Sequence, residues 1–185
     1  MDAILHHMER RRIDVLAITD HDLIDAALDF QRQLPERFLV GEEIKTTEGE
    51  LLALFITEWV PPRLSPEETI DRVHDQGGLV GASHPLDRVR REAMGSQVLD
   101  AIHHRLDFIE VMNARVIFPG DNRRAREKAA RWGLPGSAGS DAHAPFEVGR
   151  CYVEMPCFDG PHDFLDCLAQ AQIGGWVSSP LVHFA

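Results

Sequence analysis

The sequence predicts an α/β fold in a single domain: a parallel sheet with crossover helices, either open or closed into a barrel. Three observations predict it. Short apolar β-rich runs alternate with helical patterns at a spacing of roughly 30 residues. No low-complexity linker divides the 185 residues. Polar, chemistry-bearing residues follow directly on the apolar runs, and α/β folds gather their sites at C-terminal strand ends.

Residues 2–12 read as a helix with Ile4, Leu5 and Met8 on one face. A short strand follows at 14–18, then a helix over 22–33 stopped by Pro35. Strands at 38–44 and 51–56 flank the turn Thr47-Glu48-Gly49-Glu50, the pattern of a hairpin. Ser65 caps the next helix, with Pro66 at its first position and Glu68 completing a capping box. That helix ends at Gly77-Gly78. A strand at 79–82, a helix over 96–105 and a strand at 108–112 come next. Asp121 or Asn122 is expected to cap a helix that reaches Trp132 and stops at Gly133. Strands at 135–139 and 150–154 and a helix over 161–172 complete the reading.

Composition narrows the function classes. With 44% hydrophobic and 26% charged residues, the chain is an ordinary globular one. No apolar run reaches the ~18 residues of a membrane span, so no membrane partner is expected. The first residues, polar and rich in His, Glu and Arg, do not read as a signal peptide. Against 30 acidic residues stand 19 basic ones, a formal charge of −11. That balance argues against a duplex nucleic-acid partner. Cys151, Cys157 and Cys167 fit no zinc-finger spacing and read as reduced thiols of a cytoplasmic protein.

The strand ends are the informative part. Thr19-Asp20-His21-Asp22 follows the first strand and Gly41-Glu42-Glu43 the second. Ser83-His84-Pro85, Glu110-Val111-Met112-Asn113 and Ser140-Asp141-Ala142-His143 follow later ones. Neutral imidazoles and carboxylates together suit borderline divalent cations. In Asp141-Ala142-His143 the i, i+2 spacing turns both side chains to one side of an extended segment.

AITDHD (17–22), GEEIKT (41–46), GASHP (81–85), FIEVMNAR (108–115) and GSDAH (139–143) resemble the PHP family, the polymerase and histidinol phosphatase superfamily. The likeness covers residues 1–154 and extends toward the end, and is nearest to the stand-alone phosphoesterases. It implies a distorted seven-stranded β/α barrel, TIM-like, with up to three divalent ions of zinc, manganese or iron. It implies His21, Glu43, His84, Asp141 and His143 as metal ligands, with Glu43 bridging and Asp20 a ligand or an orienting group. Glu110 and Asn113 would line the site, and Arg88, Arg115 and Arg150 are candidate phosphate clamps. The implied reaction is hydrolysis of a phosphate ester, in a small nucleotide or other phosphorylated metabolite, by metal-activated hydroxide.

The family pattern begins with a strand carrying His-x-His, which this chain lacks. His6 and His7 do not replace it, because helix neighbours diverge by about 100°. The chain is therefore expected to be incomplete at its N-terminus, and SSPLVHFA (178–185) reads as cut in mid-element. A degenerate module that binds metal or nucleotide without turnover is the alternative reading, and a metal amidohydrolase a third. His74, His103, His104, His162 and His183 read as surface residues, and Trp59, Trp132 and Trp176 as packing residues.

Overall fold

The computed structural model describes residues 1–179, so His183 and the end of the 178–185 segment lie outside the described residues. The chain opens with α1 (Asp2–Arg11), which packs Ile4, Leu5 and the buried Met8 against Phe38 and Val148. Six strands then form one sheet in sequential order. They are β1 (Leu16–Ile18), β2 (Phe38–Thr46), β3 (Gly49–Leu54), β4 (Leu79–Ala82), β5 (Phe108–Asn113) and β6 (Gly136–Gly139). The pairs β1/β2, β4/β5 and β5/β6 are parallel. β3 runs antiparallel to both its neighbours. Only Thr47 and Glu48 separate β2 from β3, too short a connection for a parallel crossover, so a hairpin forms.

Among the described residues the architecture is mixed α/β, with a six-stranded sheet consistent with a partial TIM-like barrel. The seventh expected strand, β7 (Cys151–Glu154), leaves that sheet. It pairs antiparallel with β8 (Gln172–Gly175) in a separate two-stranded ribbon. A helix was expected as far as residue 172, but α6 (Gly160–Leu168) stops earlier. β8 is short and ends in Gly174-Gly175, which hides its strand character in the sequence.

The remaining helices are α2 (Asp25–Gln33), α3 (Pro66–Asp75), α4 (Gly95–Ile102) and α5 (Pro119–Trp132). The capping box of α3 forms: Ser65 Oγ accepts from Glu68 N at 3.2 Å, and Glu68 Oε2 accepts from Ser65 N at 3.1 Å. α5 begins at Pro119, ahead of the expected cap. The Asp121 carboxylate instead binds Arg88, and Asn122 bonds the backbone of Asn113. The main core lies between the sheet residues Ile44, Leu51, Val80 and Ile109 and the helix residues Ile70, Val73, Leu99 and Ala125. Among the described residues no helix is long and apolar enough to cross a membrane.

Candidate metal centre

The sheet's strands deliver side chains to one place. Past the end of β1 the chain keeps pairing with β2 through a single bridge between His21 and Glu43. Glu43 N donates to Asp20 O at 3.2 Å, and Asp22 N donates to Glu43 O at 3.0 Å. This ladder sets His21 Nδ1 3.4 Å from Glu43 Oε2. In the β2–β3 register Lys45 faces Glu50, so Glu50 shares a sheet face with Lys45 and Glu43. Glu50 Oε1 lies 3.6 Å from His21 Nδ1.

β4 adds Ser83 and His84. The Ser83 hydroxyl donates a hydrogen bond to Glu43 Oε1. His84 Nε2 sits 3.2 Å from Glu43 Oε1 and 3.4 Å from Glu50 Oε2, with its side chain fully buried. His84 has φ 24° and Asp141 φ 49°, left-handed conformations that cost energy in a residue with a Cβ. Such strain at two strand ends beside one cluster is a sign of function.

β5 supplies the layer beneath. Glu110 Oε2 accepts from the backbone N–H of His84 at 2.7 Å and from Asn113 Nδ2 at 3.1 Å. Asn113 Nδ2 also donates to Asp141 Oδ2 at 3.1 Å. A Cβ on Gly139 would lie 2.6 Å from Glu110 Oε1, so a larger residue there would displace this carboxylate. Asp141 is in turn clasped by the guanidinium of Arg90. His143 completes the rim, its ring 6.1 Å from that of His21.

The electrostatics follow from burying three carboxylates around one imidazole. Burial pushes Glu50 up to about 7, and the Glu43 charge pushes the same way. Burial likewise raises Glu110 to about 7, against the pull of the His84 charge. For Glu43 burial is outweighed by contact with His84 and the Ser83 hydrogen bond, which hold it at about 2. His84 rises to about 9, because Glu43 overcomes the cost of burying an imidazolium.

This cluster fits a divalent cation. Donor atoms of His21, Glu43 and Glu50 all lie within 4.8 Å of one another. Both ring nitrogens of His84 are buried without a hydrogen bond of good geometry, though Nε2 faces two carboxylates. A buried polar atom left unpaired is costly, and a cation would take up the Nε2 lone pair. Two adjacent buried carboxylates repel, and a cation removes the repulsion.

The structure thus gathers His21, Glu43, His84, Asp141, His143, Glu110 and Asn113 in one region. Asp20 contributes its carbonyl to the β2 ladder, and the residue is exposed. Two of the expected phosphate clamps are committed elsewhere. Arg88 pairs with Asp121 at 2.7 Å, and Arg115 pairs with buried Glu147 at 3.0 Å. Arg150 lies over the ring of Phe146, its guanidinium carbon 5.7 Å from the centroid. Sequence reasoning passed over Glu50, Ser83 and Arg90. Glu50 was within reach, since strand alternation across the expected hairpin puts it on the face of Glu43. Arg90 sits in an irregular loop and carried no such signal.

A family model described as PHP-associated matches residues 119–173. Two uncharacterized proteins of Methanocaldococcus jannaschii are relatives. One is 40% identical over 114 residues, covering 60% of this chain and 64% of its own length. The other is 33% identical over 162 residues, covering 80% of this chain and 67% of its own length. The chain thus spans about two thirds of the length of the curated relatives it matches.

Among solved structures, a Bifidobacterium adolescentis protein assigned as a metal-dependent phosphoesterase matches with TM-score 0.61 at 20% identity. The match covers 77% of this chain and 82% of that one. The lesion-specific endonuclease Q of Pyrococcus furiosus matches with TM-score 0.67 at 16% identity, over 92% of this chain and 52% of its own. A further endonuclease Q structure holds a 27-mer duplex with an abasic lesion at its active site. It matches with TM-score 0.59 at 13% identity, over 92% of this chain and 51% of its own. That complex overturns the exclusion of duplex nucleic acid argued from net charge, because a protein of this fold takes up a duplex. Net charge sums the whole surface, whereas a local field decides where a polyanion docks.

Proposed function

The chain belongs to the PHP superfamily, and on that premise we propose that it hydrolyses phosphate esters with a divalent cation held by His21, Glu43, Glu50 and His84. The observation that carries the reading is the convergence of these four side chains, with the buried Nε2 of His84 facing two carboxylates. When bound, such a cation polarises a phosphoryl oxygen and makes water acidic enough to supply a nucleophile near neutral pH.

The protein's own groups do the rest. Ser83 fixes the rotamer of Glu43 through its hydroxyl. Glu110 holds the backbone of His84, and Asn113 ties Glu110 to Asp141, so three strand ends keep one spacing. Asp141 and His143 on the open rim are the donors for a second cation. Arg90 neutralises Asp141 and is the guanidinium placed to swing onto a substrate phosphate, where a planar fork grips two oxygens.

The substrate class proposed is a phosphate ester of a nucleotide, in a small molecule or within a nucleic-acid strand. The assigned activity of the Bifidobacterium protein and the nucleic-acid chemistry of endonuclease Q support that breadth. The test is phosphate release from an aryl phosphate and a nucleoside monophosphate, and strand cleavage of an abasic DNA duplex, each with added Mn²⁺ or Zn²⁺. Wild type is expected to turn over at least one of them, and Glu43→Gln to lose the activity. Cation binding without turnover of any phosphate ester would replace this reading with a non-catalytic binding module.

A further inference from the structure

A second cluster lies where the C-terminal end of α1 meets the loop after His143. Arg11 donates from Nη2 to Phe146 O at 2.9 Å, and its guanidinium carbon lies 5.5 Å from the Trp176 ring centroid. Arg150 lies over the ring of Phe146. Trp176 N donates to Arg150 O at 2.9 Å, which closes the circle of four residues. Gly149 makes the approach possible. Its φ of +74° is left-handed, and a Cβ there would meet Ile13 Cγ1 at 2.8 Å and Arg11 Cδ at 3.2 Å.

The charges are unbalanced here. Among the described residues neither Arg11 nor Arg150 has a carboxylate within ion-pair distance, although the chain holds 30 acidic residues. Arg11 Nη1 and Arg150 Nε are buried with no hydrogen-bond partner. Burial and the neighbouring Arg150 charge both lower the Arg11 pKa, the mark of a cation in surplus positive potential. Beside these two cations stand two exposed aromatic rings, Phe146 at 46% and Trp176 at 58% exposure.

Paired guanidiniums without acids accept an oxyanion. Exposed rings capped by arginine on one side offer the other face to a stacking partner. We propose that Arg11, Arg150, Phe146 and Trp176 form a binding site for a phosphate joined to an aromatic base, that is, a nucleotide, free or within a single strand. Phe146 follows His143 by three residues, so a strand held here would run toward the rim of the metal centre. The site binds without the cation, and its test is independent of the hydrolytic reading.

The experiment is fluorescence anisotropy of a fluorescein-labelled dT12 oligonucleotide with the full chain, at low salt and with EDTA to remove turnover. Wild type is expected to bind. Arg150→Gln and Arg11→Gln should each weaken binding on the order of tenfold or more, with a shallower salt dependence. Trp176→Ala should weaken it about five- to tenfold, while Arg32→Gln, an exposed helix arginine, should match wild type. AMP competing as well as the strand points to a free nucleotide; AMP failing to compete points to the strand; either supports the site. Arg11 also holds Phe146, so if Arg11→Gln unfolds, Arg150→Gln and Trp176→Ala decide. No binding by wild type, or unchanged binding in Arg150→Gln and Trp176→Ala, overturns the proposal. Competition by inorganic pyrophosphate with no effect of Trp176→Ala overturns the base-stacking part.

Discussion

Replacing Glu50 with Gln removes one charge from the proposed cation site and leaves its shape. The carboxylate stands 3.6 Å from His21 Nδ1 and 3.4 Å from His84 Nε2, the two imidazoles proposed to share the ion. A unit negative charge about 4 Å from a divalent cation contributes roughly 8 kcal/mol at an effective dielectric of about 20. Part of that is spent keeping a buried carboxylate ionised, a cost visible in the rise of Glu50 to about 7. With most of it offset by that cost and by the Gln carbonyl, which still offers the ion an oxygen, the net loss is about 2 kcal/mol, or some 30-fold in affinity. Titration calorimetry with Mn²⁺ at pH 7.5 measures it. The metal-free variant should unfold at the same temperature as wild type or higher, because repulsion from Glu43 is relieved. That outcome separates a lost ligand from a damaged fold. A variant that binds Mn²⁺ within twofold of wild type would refute the placement of Glu50 in the site.

Two other expectations concern the rest of the molecule. Burial of Asp121 is outweighed by its bonds to Arg88, with Arg124 adding to them, and its pKa is held below the ordinary carboxylate range. A depressed carboxylate stabilises above its unfolded pKa of about 4 and loses that stabilisation as pH falls through the folded value. Asp121→Asn should therefore unfold a few degrees lower than wild type at pH 7, and the gap should narrow below about pH 4; a gap independent of pH would contradict the pairing. Burial, with the Glu110 charge, pushes the Cys151 thiol up to about 12, while Cys157 is exposed. At pH 8 the Cys151 thiolate is then about one part in ten thousand, so iodoacetamide should modify Cys157 in the native protein and spare Cys151, as read by peptide mass spectrometry. Early labelling of Cys151 would contradict its burial.

The sequence was most legible where local chemistry decides structure. Ser65, Pro66 and Glu68 announce the start of α3, and the capping box forms. The turn at 47–50 announces the hairpin, and two linking residues enforce it. The strand-end residues were legible for a similar reason, since polar groups after apolar runs converge once the sheet assembles. The illegible parts depend on distant partners. Asp121 looks like a helix cap, but Arg88, 33 residues away, claims its carboxylate. Arg115 looks like a phosphate clamp until Glu147 is folded against it. Trp176 reads as a packing residue, and only the ribbon shows that its ring packs at the surface, against Arg11. Glu50 and Arg90 belong to the cluster through pairings that no motif spells out.

Where a cation settles decides the proposed function. The most direct measurement is anomalous diffraction from a crystal of the full chain soaked in MnCl₂. A peak is expected about 2.0–2.3 Å from His84 Nε2 and from oxygens of Glu43 and Glu50, beside His21. A well-occupied peak elsewhere, or none at this cluster at saturating Mn²⁺, would contradict it.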